Sequence, residues 1–112
     1  MEKWALIPRN NEYMVSSYGN IMRVDGKYNN KPGVFKNLTP SKNGRGYLFV
    51  SLGGGSHPGV HVLVAEAFIG PRLRGYDVHH KDNDKTNNVL SNLEYVRHSD
   101  NVKLAFLLLD KL

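Results

Sequence analysis

The apolar positions of this chain change their period near residue 60. Before it they come in short runs: Trp4-Ala5-Leu6-Ile7-Pro8, then Tyr13-Met14-Val15, the polar Ser16-Ser17-Tyr18-Gly19-Asn20, and Ile21-Met22-Arg23-Val24. Such runs around a glycine-bearing polar segment predict strand, turn, strand. Residues 25–33 are polar and punctuated by glycine, asparagine and proline, which predicts a loop. Residues 39–44 predict a turn, and Gly46-Tyr47-Leu48-Phe49-Val50-Ser51-Leu52, rich in aromatic and β-branched side chains, a further strand. Gly53-Gly54-Gly55 ends that strand; lacking a Gly-Lys-Ser/Thr ending, it is a turn and not a phosphate loop. From residue 60 the spacing becomes helical, with Val60, Leu63, Val64, Ala67 and Phe68 on one face and Gly70-Pro71 as the stop. Residues 75–80 predict a short strand, 81–92 a long polar loop, and Leu93-Glu94-Tyr95-Val96 a second strand. A final helix is expected to run to about Leu112, with Ser99 as N-cap and Asp100 in its electropositive first turn.

The fold class expected is α+β, with a β-rich N-terminal half (1–58) followed by a helix and a strand–loop–strand–helix unit (59–112). With 112 residues this is one compact unit around a single core. A composition of 40% apolar and 22% charged residues excludes wholesale disorder, and no apolar run approaches the roughly 20 residues needed to cross a bilayer. The absence of cysteine excludes a disulfide framework, a thiolate zinc site and a thiol nucleophile. No secretory signal pattern is visible at the N-terminus, so the expected setting is intracellular, without a membrane partner.

Charge adds a direction. The net charge is +5, and all of it lies in residues 1–60, which hold eight basic and three acidic side chains against seven of each in 61–112. Lys27, Lys31, Lys36, Lys42 and Arg45 follow one another with no acid between them, a density suited to phosphates. Lys36, Lys42, Arg45, Arg72, Arg74 and Arg97 are the candidate DNA-backbone contacts, which position a duplex without reading bases.

Residues 77–101 hold the densest chemistry: Asp77, His79, His80, Asp82, Asp84, Asn87, Asn88, Asn92, His98 and Asn101. A helix-loop-helix calcium site is excluded, because from Asp82 the sixth residue is Asn87, not glycine, and the twelfth is Leu93, not glutamate. Turn capping accounts for Asp82, Asp84, Asn87 and Asn88. His61 lies on the helix opposite the apolar stripe with no metal-ligand spacing to a partner and reads as structural or a phosphate contact, while His98 reads as solvent-exposed and His57 as inert.

The stretch Val78-His79-His80-Lys81-Asp82-Asn83-Asp84-Lys85-Thr86-Asn87-Asn88, then Ser91-Asn92-Leu93-Glu94-Tyr95-Val96 and Asp100-Asn101, resembles the HNH endonucleases with the ββα-metal fold, in particular the phage and intron-encoded homing endonucleases. Val60-His61-Val62-Leu63-Val64-Ala65-Glu66-Ala67-Phe68 is similar to the helix preceding that motif. The run from Trp4 to Ile21 resembles the small module often found ahead of the nuclease core. The resemblance implies that His80 is the general base, that Asn92 orients its ring, and that His79 and Asn101 hold one divalent cation, Mg²⁺ or Mn²⁺. It also implies double-stranded DNA as substrate, a bacterial-host cytoplasm, and products with 5′-phosphate and 3′-hydroxyl ends. Strand alternation sends His79 and His80 to opposite faces, and Asp77, which shares the parity of His79, is an alternative ligand. The apolar C-terminal helix, Val102 to Leu109, suggests a homodimer contact. The rival readings are a DNA-binding accessory protein that keeps the fold without cutting, and an RNase using the same site.

Overall fold

The computed structural model describes residues 1–24 and 36–103. Lys27 and Lys31 of the basic run, and residues 104–112 on which the dimer contact rests, lie outside the described residues.

Four antiparallel strands open the chain in the order β1-β2-β3-β4: β1 (Trp4–Ile7), β2 (Asn10–Ser16), β3 (Ile21–Arg23) and β4 (Lys36–Leu38). Val15 faces Ile21 across β2 and β3, and Ile21 faces Leu38 across β3 and β4, which places these apolar side chains on one side of the sheet. A short hairpin follows, β5 (Ser41–Lys42) with β6 (Leu48–Phe49). The strand expected over residues 46–52 is thus only two residues long. Beyond it Val50 and Leu52 are buried, but their amides bond to Pro58 and Ser56 carbonyls in a wide turn instead of a ladder.

Helix α1 (Val60–Phe68) matches its periodicity and ends at Gly70, whose amide, like that of Ile69, returns to the Ala65 carbonyl. The hairpin β7 (Tyr76–His80) and β8 (Leu93–Arg97) is in register from Tyr76 opposite Arg97 to His80 opposite Leu93. Its connection closes through a 3₁₀ turn at Leu90–Asn92. Residues 98–103 are helical (α2), so the helix begins at His98 and Ser99 lies inside it instead of capping it.

Ile7, Val15 and Ile21 of the first sheet, Val60, Leu63 and Val64 of α1, and Leu93 of β8 form one buried cluster. The N-terminal sheet and the strand–loop–strand unit therefore share a core. Arg9, in the β1–β2 turn, adds a bidentate pair to Glu66 of α1, with its Nη2 2.8 Å from both carboxylate oxygens. Among the described residues no helix is long and apolar enough to cross a membrane.

Candidate active site

β7 presents two faces. Val78 and His80 turn toward α1 and the core, while Asp77 and His79 turn away from it. His80 ends the strand opposite core residue Leu93 and is only 4% exposed. Its Nε2 lies 2.8 Å from Oδ1 of Asn88, itself 5% exposed. With Asn88 accepting, Nε2 carries the ring proton and Nδ1 is the basic nitrogen.

This corrects the expected role of Asn92. Asn92 stands at the mouth of the hairpin with its amide turned into the loop: Oδ1 accepts from the Asp82 amide, and Nδ2 donates to Asp82 Oδ1 and the Asn87 carbonyl at 2.9 Å each. It staples the loop, and Asn88 holds the histidine. The capping reading is right for Asp82, Asp84 and Asn87. Asp82 accepts from the Asp84 amide and from Asn87, and Asp84 accepts from the Thr86 amide and hydroxyl. Those bonds hold both carboxyls below their ordinary range, led by Asn87 for Asp82 and by Thr86 for Asp84. Capping is wrong for Asn88, which is buried and aimed at His80. Only burial distinguishes it from its neighbour Asn87, and no local pattern announces burial of one asparagine in a polar loop.

Two further residues beside His80 were not legible as site residues. His61, near the start of α1, stacks on Tyr47 with centroids 4.9 Å apart, and its own centroid is 5.1 Å from that of His80. Gly59 makes room for the His61 ring, since a Cβ there would lie 2.5 Å from Cε1. Among the described residues, His61 Nδ1 and Asn88 Nδ2 are buried polar atoms without a hydrogen-bond partner. Burial, the nearby His80 and the nearby Arg72 together push His61 down to about 4, so the ring is neutral. Tyr47 also carries Lys85 Nζ 4.9 Å over its ring, and the same ammonium donates to the Arg45 carbonyl. Tyr47, Phe49, His57 and His61 line an open cleft of about 460 Å³. His57 is held there by Ser51 Oγ, 2.9 Å from its Nδ1.

The outer face of the hairpin gathers the expected ligands differently from the sequence reading. Asn101, on the first turn of α2, donates to Asp77 Oδ2 at 3.3 Å, and His98 Nδ1 lies 2.6 Å from the same oxygen. Desolvation raises the Asp77 carboxyl, but the bonds from His98 and Asn101, with the charges of His98 and Arg72, bring it below its ordinary value. His79, on the same face, pairs loosely with Glu94 at 3.4 Å. Among the described residues no three His, Asp or Glu side chains converge as a metal cluster. The donor set nonetheless fits a cation bound by few protein ligands: the Asp77 carboxylate meets the Asn101 amide, His79 shares their face, and carboxylate and amide oxygens suit Mg²⁺ or Mn²⁺.

Of the basic candidates, Arg72 and Arg74 line a cavity of about 520 Å³ together with Tyr76, Asp77 and His98. Arg45 lies in the β5–β6 turn and Lys42 on β5, both exposed, and Lys36 begins β4. Arg97, at the end of β8, reaches Tyr76 Oη at 3.5 Å. The electrically balanced half thus carries two arginines at the site itself.

Residues 59–103 match the family model of the HNH endonucleases. The chain is also similar to a solved structure described as DNA binding and cleavage by the HNH homing endonuclease I-HmuI. The TM-score is 0.76 and the identity 29%, over 93% of this chain and 57% of that one, so the chain spans a little over half the length of that nuclease. No curated protein matches it. The resemblance read from the motif and the α+β, ββα-metal fold class are borne out by both matches.

Proposed function

We propose that this chain, with an HNH endonuclease segment at residues 59–103 on a ββα-metal scaffold, is a divalent-metal-dependent DNA endonuclease that nicks or breaks duplex DNA. The observation that carries the proposal is the His80 imidazole, buried at the end of β7 with its Nε2 held by Asn88, on a strand whose outer face carries His79 and the Asp77 that meets Asn101. Phosphodiester hydrolysis needs a proton taken from the attacking water and charge stabilised on the phosphate and departing oxygen. His80 Nδ1 takes the proton, and Asn88 fixes the ring and its tautomer. Arg72 and Arg74 supply fixed positive charge beside Asp77, while Lys36, Lys42, Arg45 and Arg97 hold the phosphate backbone. His79 and Asn101 would hold the cation, which would supply Lewis-acid stabilisation of the negative charge that develops in hydrolysis. A second ligand reading, Asp77 with Asn101, is favoured by the 3.3 Å contact between these two side chains. The protein acts in the cytoplasm of a bacterial host and is encoded by a phage or mobile element.

The test is relaxation of supercoiled plasmid with Mg²⁺, with Mn²⁺ and with EDTA. Metal-dependent nicking that falls by about 10² or more in His80→Ala is the expected result. Nicking that survives His80→Ala overturns the base assignment, and DNA binding without cutting under any metal supports the accessory-protein reading. Mn²⁺ titration of His79→Ala and Asp77→Asn separates the two ligand readings.

A further inference from the structure

Asn88 is backed by a part of the chain some seventy residues away, the turn that joins β2 to β3. That turn is rigid for local reasons. The hydroxyl of fully buried Ser16 accepts the amides of Tyr18 and Asn20 at 3.2 and 3.0 Å, and the Ser16 carbonyl accepts the Gly19 amide at 2.9 Å. Ser17 is locked to Lys3, just ahead of β1, by two bonds: its amide donates to the Lys3 carbonyl and its hydroxyl accepts from the Lys3 amide. The turn then meets the loop that carries Asn88. The Ser17 carbonyl accepts the Leu90 amide at 2.8 Å, and Gly19 packs directly against Asn88. A Cβ at Gly19 would lie 3.1 Å from Asn88 Cβ and 3.2 Å from its carbonyl oxygen, neither of which is the flexible end of a side chain. Gly19 also has φ +88°, a conformation other residues rarely adopt.

We propose that the Ser16–Asn20 turn is a positioning element of the active site, with Gly19 as the positioning residue that sets Asn88 and, through it, the His80 ring. The inference rests on the endonuclease reading, in which His80 is the base. It gives the N-terminal sheet a second task besides offering basic side chains to DNA: it forms the back wall of the proton-accepting histidine. An added methyl at Gly19 must push Asn88 by a few tenths of an ångström, and the 2.8 Å bond to His80 Nε2 moves with it.

The experiment compares Gly19→Ala with Gly53→Ala. Gly53 has a matching φ of +83° but, among the described residues, nothing within 4 Å of an added Cβ, so it carries the backbone strain without the push. Both variants are expected to lose thermal stability through the backbone strain, Gly19→Ala somewhat more because of the added push. Gly53→Ala keeps wild-type cleavage, while Gly19→Ala loses about tenfold or more in kcat, with KM within about twofold because the basic side chains do not move. Independently of cleavage, the Nε2–H signal of His80 in nitrogen-correlated NMR spectra of the DNA-free protein shifts in Gly19→Ala and not in Gly53→Ala. Should the wild type fail to cut DNA, the endonuclease reading fails while the His80 signal still decides the positioning role. If Gly19→Ala does not fold, Gly19→Asn replaces it, since asparagine tolerates the left-handed backbone yet brings the same Cβ. A folded Gly19 variant with an unmoved His80 signal and wild-type kcat overturns the proposal. So does failure of both Gly19 variants to fold beside a folded Gly53→Ala, because the turn would then serve the whole fold and not the site.

Discussion

Replacing His61 with phenylalanine makes the protein more resistant to acid. The wild-type ring is stacked on Tyr47 and pressed onto Gly59, and its buried Nδ1 has no partner among the described residues. Burial first, then the neighbouring His80 and Arg72, lower its pKa from 6.5 to about 4. In the unfolded chain the imidazole takes a proton as the pH falls through 6.5, whereas in the folded protein it stays neutral until about 4. The unfolded state therefore binds more protons between those values, and stability is lost as pH falls through that window, with the full penalty present below it. The displacement corresponds to about 3 kcal/mol at full effect, and residual solvent access to the ring brings the expected penalty to about 2 kcal/mol. Phenylalanine keeps the stack on Tyr47 and has no proton to bind, so this penalty disappears. Urea unfolding of both proteins across the window measures it, because subtracting one curve from the other cancels the carboxylates common to both. The wild type is expected to fall by about 2 kcal/mol relative to His61→Phe between pH 6.5 and 4, with little relative change above 6.5. Two curves that run parallel through the window would refute the assignment of a neutral, desolvated His61 beside His80.

Two further outcomes test other parts of the site. Asn92→Ala removes three loop hydrogen bonds to Asp82 and Asn87, and is expected to cost about 1–3 kcal/mol in urea unfolding and to slow cleavage through the displaced Asn88. Arg72→Ala is expected to weaken DNA binding uniformly across sequences and to reduce the slope of log K against log salt by about 1, read by fluorescence anisotropy at several salt concentrations.

The architecture was largely written in local pattern. The helical spacing of Val60, Leu63, Val64, Ala67 and Phe68 determined α1, and the apolar runs on either side of a polar turn determined β2 and β3. The stretch from Val78 to Asn101 carried the resemblance to the HNH endonucleases, whose family model matches residues 59–103, because a motif is a property of sequence distance. Local pattern was less informative where long-range packing decided the outcome. Val50 and Leu52 read as ladder residues, yet they are buried beneath a wide turn that leaves β6 only two residues long.

Identity of the partners was decided only by tertiary structure. Asn87, Asn88 and Asn92 are the same residue type in one polar loop. The approach of the β2–β3 turn leaves Asn88 buried against His80, while Asn87 and Asn92 bond to Asp82. His61 looked like a histidine on the wet side of a helix, and became a wall of the site because the β5–β6 hairpin lays Tyr47 over it. The face shared by Asp77, His79 and Asn101 depended on where α2 begins relative to β8. Residue types and their spacing determined which groups capable of chemistry the chain contains. Contacts between segments far apart in sequence decided which of those groups meet, since burial and hydrogen-bond geometry arise only once those segments come together.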